Sequence, residues 1–246
     1  MASILCIETS TEVCSVALAV SGIAVATKED TSGRNHAQML TRFVEEVMKA
    51  KNISFNQLDA VAVSGGPGSY TGLRIGVSIA KGLCYASGLP MISIPALEAL
   101  AHHVINLPDI LGNRNDLPVL YCPMIDARRM EVYTAIYNDH LVKVRDIQAD
   151  IIDHSSFTTF LQHHKIIFFG NGAEKCKMTI QHPNAFFLEN IGNSAVYMAA
   201  LAEAAFEADN FVNVAYYEPF YLKDFVATIP TKNIFHSKTD FKTNLE

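Results

Sequence analysis

A glycine-rich loop is the part of this chain whose residue types most clearly suggest chemistry. Its sequence is SGGPGSYTGLRIG, and it covers positions 64–76 of the 246 residues. The apolar run LDAVAV precedes it and a run with helical spacing follows it, so a strand leads through the loop into a helix. Backbone N–H groups at the start of a helix attract anions. The residues that could line such an anion-binding loop are Gly65, Gly66, Gly68, Ser69 and Thr71.

The loop matches neither of the common phosphate-binding patterns. A P-loop needs a lysine after its last glycine, and no lysine occupies that position here. A dinucleotide-binding loop needs GxGxxG, which GGPGSYTG does not fit. The alternative is a tight turn from strand to helix that brings the helix close to its neighbours. We favour this alternative and predict no bound cofactor.

Two carboxylates, Glu8 and Asp126, end apolar runs in the two halves of the chain. In two-lobed phosphotransferases, acids at such positions hold a metal–nucleotide. Glu8, however, is followed by TSTEV, without the glycine that would let a phosphate approach the backbone. No lysine or second acid completes the site. We therefore favour the interpretation that each acid caps the turn that follows it.

Histidines supply the other possible metal ligands. Glu98 and His102 lie four residues apart on a predicted helix, so that both can face one side. The pattern HExxH is absent and no third ligand is evident, so we predict no metal site. No Ser–His–Asp or Cys–His arrangement stands out, and the serines of the glycine loop lack a GxSxG elbow. The sequence therefore predicts no catalytic residue.

The elements that must position these residues occur in an order that repeats along the chain. A βββ–α–β–α unit begins near residue 4 and again near residue 119. This repeat predicts an α/β fold of two lobes, residues 1–106 and 107–246. The segment LPDILGNRNDLP, at 107–118, is typical of a linker between them.

Helical periodicity is strongest in two runs of the first half. Residues 36–51 carry an apolar stripe, and residues 72–87 are apolar on most faces. The second run places Gly72, Gly76 and Ala80 four residues apart. Each glycine inside a helix costs about 1 kcal/mol relative to alanine, and close approach of another backbone is the usual compensation. In the second half we expect helices at 155–164, at 194–208 and after the glycines at 170–172.

Composition and charge limit the possible partners. The formal net charge is −6, from 19 basic and 25 acidic residues, and only the short tail TKNIFHSKTDFKTN concentrates basic residues. We therefore do not expect the chain to bind nucleic acid alone. Five cysteines without a CxxC pair argue against a disulfide framework or a zinc ribbon. The start of the chain lacks the basic region of a signal peptide, and no apolar run approaches ~18 residues. We expect a cytoplasmic protein with no membrane span.

Five segments together resemble the bacterial TsaB (YeaZ) family. They are ILCIETSTEVCSVAL, RNHAQML, LDAVAVSGGPGSYTGLRIGVSIAKGLCYASGLPMISIPALEAL, MIDARRMEVYTAIY and EPFYLKD, in consistent order from residue 4 to about 223. The resemblance implies the duplicated actin/hexokinase/Hsp70-like (ASKHA) fold. It also implies a role in making threonylcarbamoyladenosine at position 37 of tRNAs that read codons beginning with A. Older names for such sequences are glycoprotease and M22 peptidase.

The resemblance further implies a non-catalytic partner of the paralogous transferase TsaD, with the ATPase TsaE joining the two. TsaD carries a metal-binding HxxxH within NHxEGH. Aligned on PALEAL here, this motif puts Ala96 and Leu100 at the two histidine positions and leaves only Glu98. Because apolar side chains cannot replace imidazole ligands, the metal chemistry of TsaD should be absent. On the same resemblance, tRNA is reached only through the complex.

On this resemblance, the two helices of the first half form the surface that pairs with TsaD, or with a second copy of the chain when TsaD is absent. The expected interface residues are His36, Leu40, Phe43, Val47, Gly72, Arg74, Gly76 and Ala80. We expect Gly76→Leu to leave the chain folded and to abolish pairing. Two alternatives remain open: a stand-alone nucleotide-binding phosphotransferase or ATPase of the same fold, and an M22-type metallopeptidase.

Overall fold

The computed structural model describes residues 1–33, 35–108 and 117–223 of the chain. Most of the predicted linker at 107–118 lies outside these residues, and so does the whole of the tail at 231–244. Within the described residues, no helix combines the length and the apolar character needed to cross a membrane.

The first sheet has five strands in the order β3-β2-β1-β4-β5. The first three strands form an antiparallel meander, while β4 pairs parallel to β1 and β5 pairs parallel to β4. The central strands are apolar on both faces because helices cover both sides of the sheet. The strands are β1 (Ser3–Glu8), β2 (Cys14–Val20), β3 (Ile23–Asp30), β4 (Ala60–Ser64) and β5 (Met91–Ile94).

The second sheet repeats the first. Its order is β10-β9-β6-β7-β8, again with a three-stranded antiparallel meander and two parallel pairs. The strands are β6 (Val119–Asp126), β7 (Glu131–Tyr137), β8 (Lys143–Ile151), β9 (Lys165–Phe169) and β10 (Ala185–Phe187). The predicted duplication is therefore confirmed, and this strand order is the one expected of an actin/hexokinase/Hsp70-like α/β fold.

Two helices cover one face of the first sheet. Helix α1 (His36–Ala50) and helix α2 (Tyr70–Ser87) pack against β1, β2 and β4 in one apolar core. Helix α1 contributes its apolar stripe to this core, as its periodicity requires. Helix α2 begins at Ser69, whose hydroxyl accepts the N–H of Gly72, and ends at Gly88 in the left-handed conformation.

The remaining long helices each pack on the sheet of the other half. Helix α3 (Ala96–Ile105) follows β5 but buries its apolar face against β6, β7 and β9. A 3₁₀ turn, Ala195–Met198, and the helix that continues it, which we call α5 (Ala199–Glu207), cover the free face of the first sheet. Both helices thus contact the sheet on the far side of the predicted lobe boundary at 106/107, and that boundary stays a prediction.

The second half is less helical than its sequence pattern predicts. Of the helix expected at 155–164, only α4 (Thr158–Leu161) forms. The side chain of Asp153 accepts the N–H of Ser155 and the hydroxyls of Ser155 and Ser156, so these serines stabilise a turn rather than a helix start. The chain then enters α4 through Phe157, which has a left-handed backbone with φ 63°.

The other two helix predictions of the second half are also only partly correct. After β9, the glycine pair leads into a single 3₁₀ turn, Glu174–Cys176, instead of a helix. The run at 194–208 begins as the 3₁₀ turn that precedes α5, because the Ser194 hydroxyl accepts the N–H of Val196. The first half therefore carries the only long helix that follows a glycine loop among the described residues.

Candidate functional site

The glycine loop lies directly on the turn that joins β1 to β2. The N–H of Ser69 donates to the carbonyl of Ser10 at 2.6 Å, and the N–H of Gly65 donates to the carbonyl of Ile94 at 2.8 Å. A Cβ atom on Gly68 would lie closer than 3.0 Å to the backbone of Ser10. At Gly65, Gly68 and Ser69 the loop is therefore packed on backbone of the same chain, which is the arrangement of a tight turn.

The glycine stripe of α2 faces the same turn. The hydroxyl of Thr9 donates to the carbonyl of Gly72 at 2.8 Å, and a Cβ on Gly72 would collide with the carbonyl oxygen of Thr9. A Cβ on Gly76 would lie within 3.0 Å of the Thr9 hydroxyl. The close approach that compensates for these glycines is thus made inside the chain, between α2 and the end of β1.

A segment near the end of the described chain, residues 213–223, covers the loop from the other side. The N–H of Phe220 donates to the carbonyl of Gly65 at 2.8 Å, and the hydroxyls of Tyr217 and Ser93 are 2.6 Å apart. The rings of Tyr70 and Tyr221 are 4.8 Å apart between centroids. Sequence reasoning did not assign these contacts, although the aromatic cluster EPFYLKD was a signal that this segment is anchored.

The two acids that end β1 and β6 both cap the turn that follows, as predicted. Glu8 accepts the N–H of Ser10 at 2.5 Å, and Asp126 accepts the N–H of Arg128 at 2.7 Å. Burial raises the pKa of Glu8, while hydrogen bonds with Ser10, Ser64 and Asn193 oppose the rise. Asp126 is exposed and forms an ion pair with Lys175. The two sites are therefore related by the duplication but differ in exposure and charge.

The predicted helix with Glu98 and His102 lies against the second sheet. Ala96 and Leu100, which the resemblance aligns with the histidines of TsaD, are fully buried among apolar side chains. Burial raises the pKa of Glu98 and lowers the pKa of His102. Across residues 1–33, 35–108 and 117–223, no group of three or more His, Cys, Asp or Glu side chains lies close enough to hold a metal ion.

Most of the residues expected at a partner interface are part of the core. Those that are buried within their own chain are Leu40, Phe43, Val47, Gly72, Gly76 and Ala80. The other two are accessible: His36 is half-buried at the start of α1, and Arg74 is exposed on α2. The apolar stripe of α1 and the glycine stripe of α2 both face inward, so these six side chains are not available at the surface of this chain, and their assignment to an interface stays an untested prediction.

The expectation for Gly76→Leu changes accordingly. A leucine at this position would push into Thr9 and the end of β1, so the variant should lose folding stability rather than pairing alone. A test of pairing needs residues of the helix that the core leaves accessible.

The accessible side chains of the helix, which we call the outer face of α2, are partly apolar. Its members are Tyr70, Thr71, Arg74, Ile75, Ser78, Ile79, Gly82 and Tyr85. The Tyr85 side chain is 89% exposed, and the Arg74 guanidinium lies 5.0 Å from the centre of the Tyr70 ring. The sequence carried a signal for this face, since a helix that is apolar all round has a second side to cover.

Two grooves flank the outer face of α2. One, of about 500 Å³, runs between this helix and Ala37 at the start of α1, and Ile75 and Ile79 lie along it. The other separates the end of the helix, at Gly82 and Tyr85, from the segment 213–215. An α2 face with apolar side chains between two grooves can accommodate the helix or loop of another chain.

The comparisons with known proteins agree with this architecture. The family model for TsaD, described as tRNA N6-adenosine threonylcarbamoyltransferase, matches residues 27–231. The TsaB protein of Haemophilus influenzae, described as a tRNA threonylcarbamoyladenosine biosynthesis protein, is 31% identical over 242 residues, which cover 90% of this chain and 94% of that one. The chain belongs to the TsaB family.

Other members and relatives match over different lengths. The TsaB protein of Escherichia coli is 37% identical over 134 residues, which cover 54% of each chain. The crystal structure described as YeaZ from Pseudomonas aeruginosa has a TM-score of 0.74 and 26% identity, and the match covers 90% of this chain and all of that one. The transferase of Geobacillus thermodenitrificans is 39% identical over only 75 residues, 20% of its length. The predicted family membership and fold are therefore confirmed.

Proposed function

We propose that this chain acts in the biosynthesis of threonylcarbamoyladenosine on tRNA, as an assembly subunit without catalytic chemistry of its own. It pairs with TsaD, TsaE joins the pair, and tRNA is bound only by the assembled complex. Without TsaD the same surface forms a homodimer. We place the protein in the cytoplasm. The observation that carries the proposal is the outer face of α2, which combines apolar side chains with two open grooves.

The filled glycine loop supports the non-catalytic part of the proposal. A phosphotransferase or ATPase of this fold needs backbone N–H groups that are open to phosphate. Here the N–H groups of Gly65 and Ser69 donate within the chain, and Gly68 is packed on Ser10. A metallopeptidase needs a ligand set, and the helix that could carry it has Ala96 and Leu100 buried instead. These observations favour an assembly role over both alternatives.

The pairing surface follows from the side chains that the core leaves accessible. Ile75 and Ile79 are only partly buried, with Ala37 and Ser78 exposed on either side. Burying apolar area contributes roughly 25 cal/mol per Å², from which the entropy of association is subtracted. Pairing therefore needs close packing along the whole groove between α1 and α2. A long charged side chain within this groove should disrupt it.

The experiment compares two identical substitutions on one helix. Ala37→Arg places a guanidinium in the groove, whereas Ala50→Arg places it at the exposed far end of α1. Both variants should fold, as judged by circular dichroism. We expect Ala37→Arg to weaken co-purification with TsaD and self-association by at least about tenfold, a loss of about 1.4 kcal/mol. Ala50→Arg should behave like the wild type.

Two results would count against the proposal. Normal pairing by Ala37→Arg would place the interface elsewhere. ATP hydrolysis by the purified chain alone, abolished by Glu8→Gln, would instead favour the stand-alone nucleotidase.

A further inference from the structure

The hairpin between β6 and β7 ends in two arginines with an unusual backbone. Arg128 has φ 71° and Arg129 has φ 50°, both in the left-handed region. The turn is closed by hydrogen bonds from Ala127 N to Glu131 O at 3.0 Å and from Glu131 N to Arg128 O at 3.1 Å. Glycine and asparagine are the residues that hairpin turns favour at positive φ, because other L-residues are strained there. Two consecutive arginines are therefore costly for the turn itself.

Both guanidinium groups are available. Arg128 and Arg129 are exposed, and within the described part of the chain neither side chain forms a hydrogen bond or an ion pair. The neighbouring acids are already neutralised, since Asp126 pairs with Lys175 and Glu131 pairs with Lys223. Together with Glu12, which Asn171 links to the base of the hairpin, these carboxylates number three against four cations, which leaves a local net charge of +1 on a chain whose formal charge is −6.

The base of the hairpin is held in place by both halves of the chain. Asn171 accepts the N–H of Asp126 at 3.0 Å and donates to the carboxylate of Glu12 at 2.9 Å. Asp126 in turn accepts the N–H of Arg128. The corresponding turn after β1 is buried beneath the glycine loop and α2, whereas only a 3₁₀ turn follows β9. The turn between β6 and β7 is therefore exposed, and hydrogen bonds hold its base in place.

We propose that Arg128 and Arg129 bind phosphate groups of the RNA backbone when the complex that we have proposed holds its substrate. Guanidinium groups present a planar fork of donors that matches the oxygens of a phosphate. Two of them on adjacent residues can contact neighbouring phosphates of one strand. A local charge of +1 is too small to hold RNA firmly at physiological salt, which agrees with the acidic balance of the chain, but a weak contact should form at low salt. It adds contacts to an RNA that the complex already binds.

The first experiment uses the chain alone and does not depend on pairing. The side-chain Nε–H signals of the arginines are followed by NMR at low salt, during addition of a short single-stranded RNA. Parallel titrations use ATP and inorganic phosphate. We expect the RNA to shift the signals of Arg128 and Arg129 and to leave that of Arg42, which pairs with Glu46, unchanged. Stronger shifts with ATP than with RNA would assign the site to a free nucleotide. No shift with any of the three would overturn the proposal.

The second experiment measures tRNA binding by the assembled complex as salt is varied. Replacing both arginines by alanine should weaken binding several-fold and reduce the slope of log K against log salt by roughly 1.4–1.8, for two lost phosphate contacts. Replacing both by lysine should restore most of the slope. Arg42→Ala is the matched control and should change neither quantity.

Pairing with TsaD is measured on the same variants, so that the two proposals are separated. Normal pairing with weakened tRNA binding supports phosphate contact. Lost pairing by the alanine variant would mean that the arginines contact an acidic protein surface, which overturns the assignment to RNA. Replacing both by glycine relieves the left-handed backbone, and this variant should unfold at a higher temperature while binding tRNA less tightly. A glycine variant with unchanged tRNA binding would also overturn it.

Discussion

Helix α2 contains one glycine packed against the chain and another in open space, and these two positions should respond in opposite ways to the same substitution. Gly72 lies against the carbonyl of Thr9, whereas a Cβ on Gly82 would meet no atom within 4 Å. Alanine at Gly82 should raise the free energy of unfolding by about 0.5–1 kcal/mol, because glycine is the poorer helix former. For a chain of this size, that gain corresponds to an increase of roughly 1–4 °C in Tm.

Alanine at Gly72 should be destabilising because its Cβ would lie closer than 3.0 Å to the carbonyl oxygen of Thr9. The added methyl group collides with backbone, which cannot rotate away as a side chain can. Overpacking of this kind costs about 1–3 kcal/mol. If Thr9 also loses its hydrogen bond to the Gly72 carbonyl, a further cost of about 1–3 kcal/mol follows. After the helix-propensity gain, we expect a net loss of about 1–4 kcal/mol.

The assay is urea unfolding of the two variants and the wild type, at several protein concentrations because self-association adds to apparent stability. The two alanine variants should differ by at least about 1.5 kcal/mol in the free energy of unfolding. Equal effects of the two substitutions would refute the orientation of α2 on which the interface proposal rests. A glycine that costs stability and touches nothing in its own chain is expected where another chain approaches, so Gly82→Ala should also weaken pairing.

Further predictions concern buried groups. Burial raises the folded-state pKa of Glu8 above its ordinary 4.5, so the folded state binds this proton more tightly than the unfolded state does. The free energy of unfolding should therefore fall as pH rises from about 4.5 through the raised pKa. Urea unfolding at several pH values should show Glu8→Gln gaining stability relative to the wild type as pH rises. Leu40→Ala should cost about 2–5 kcal/mol in unfolding free energy, because the side chain is fully buried; a loss of pairing without this cost would return Leu40 to the interface. The five thiols are buried, and burial raises the pKa of Cys6 to about 12, so alkylation at mildly alkaline pH should be slow until the chain is unfolded.

The order of the strands could be predicted from the sequence because each half repeats the same signals. Apolar runs of strand length and turn residues recur in the same order from residue 4 and from residue 119, and the two sheets follow that order. The helices of the second half could not be predicted as well. The pattern at 155–164 has helical spacing, but Asp153 and the two serines after it form hydrogen bonds that stabilise a turn. Such local competition depends on side-chain geometry that periodicity does not contain.

The sequence pattern also does not predict which sheet α3 and α5 pack against. Both helices have an apolar face, and each follows directly on elements of its own half. Yet α3 covers the second sheet and α5 covers the first, since each sheet has one face that its own half leaves open. The apolar face of a helix predicts that this face is buried. It does not predict which sheet the face packs against, because that depends on how the two halves are placed.

The orientation of α2 is a second feature that the sequence pattern does not predict, and it decides which side chains are accessible for the proposed pairing. Its sequence has small residues along one line and isoleucines along another, so periodicity groups the residues correctly but leaves either face as the inner one. The distances decide the matter: Gly72 and Gly76 lie where the turn after β1 approaches the helix axis, at a separation that only a residue without a side chain allows. With the glycines turned inward, Ile75 and Ile79 lie on the flank of the helix, where they are partly buried against the core and line the groove beside Ala37. The packing of the glycines therefore decides which side chains of α2 stay accessible, and the proposed pairing surface is drawn from these.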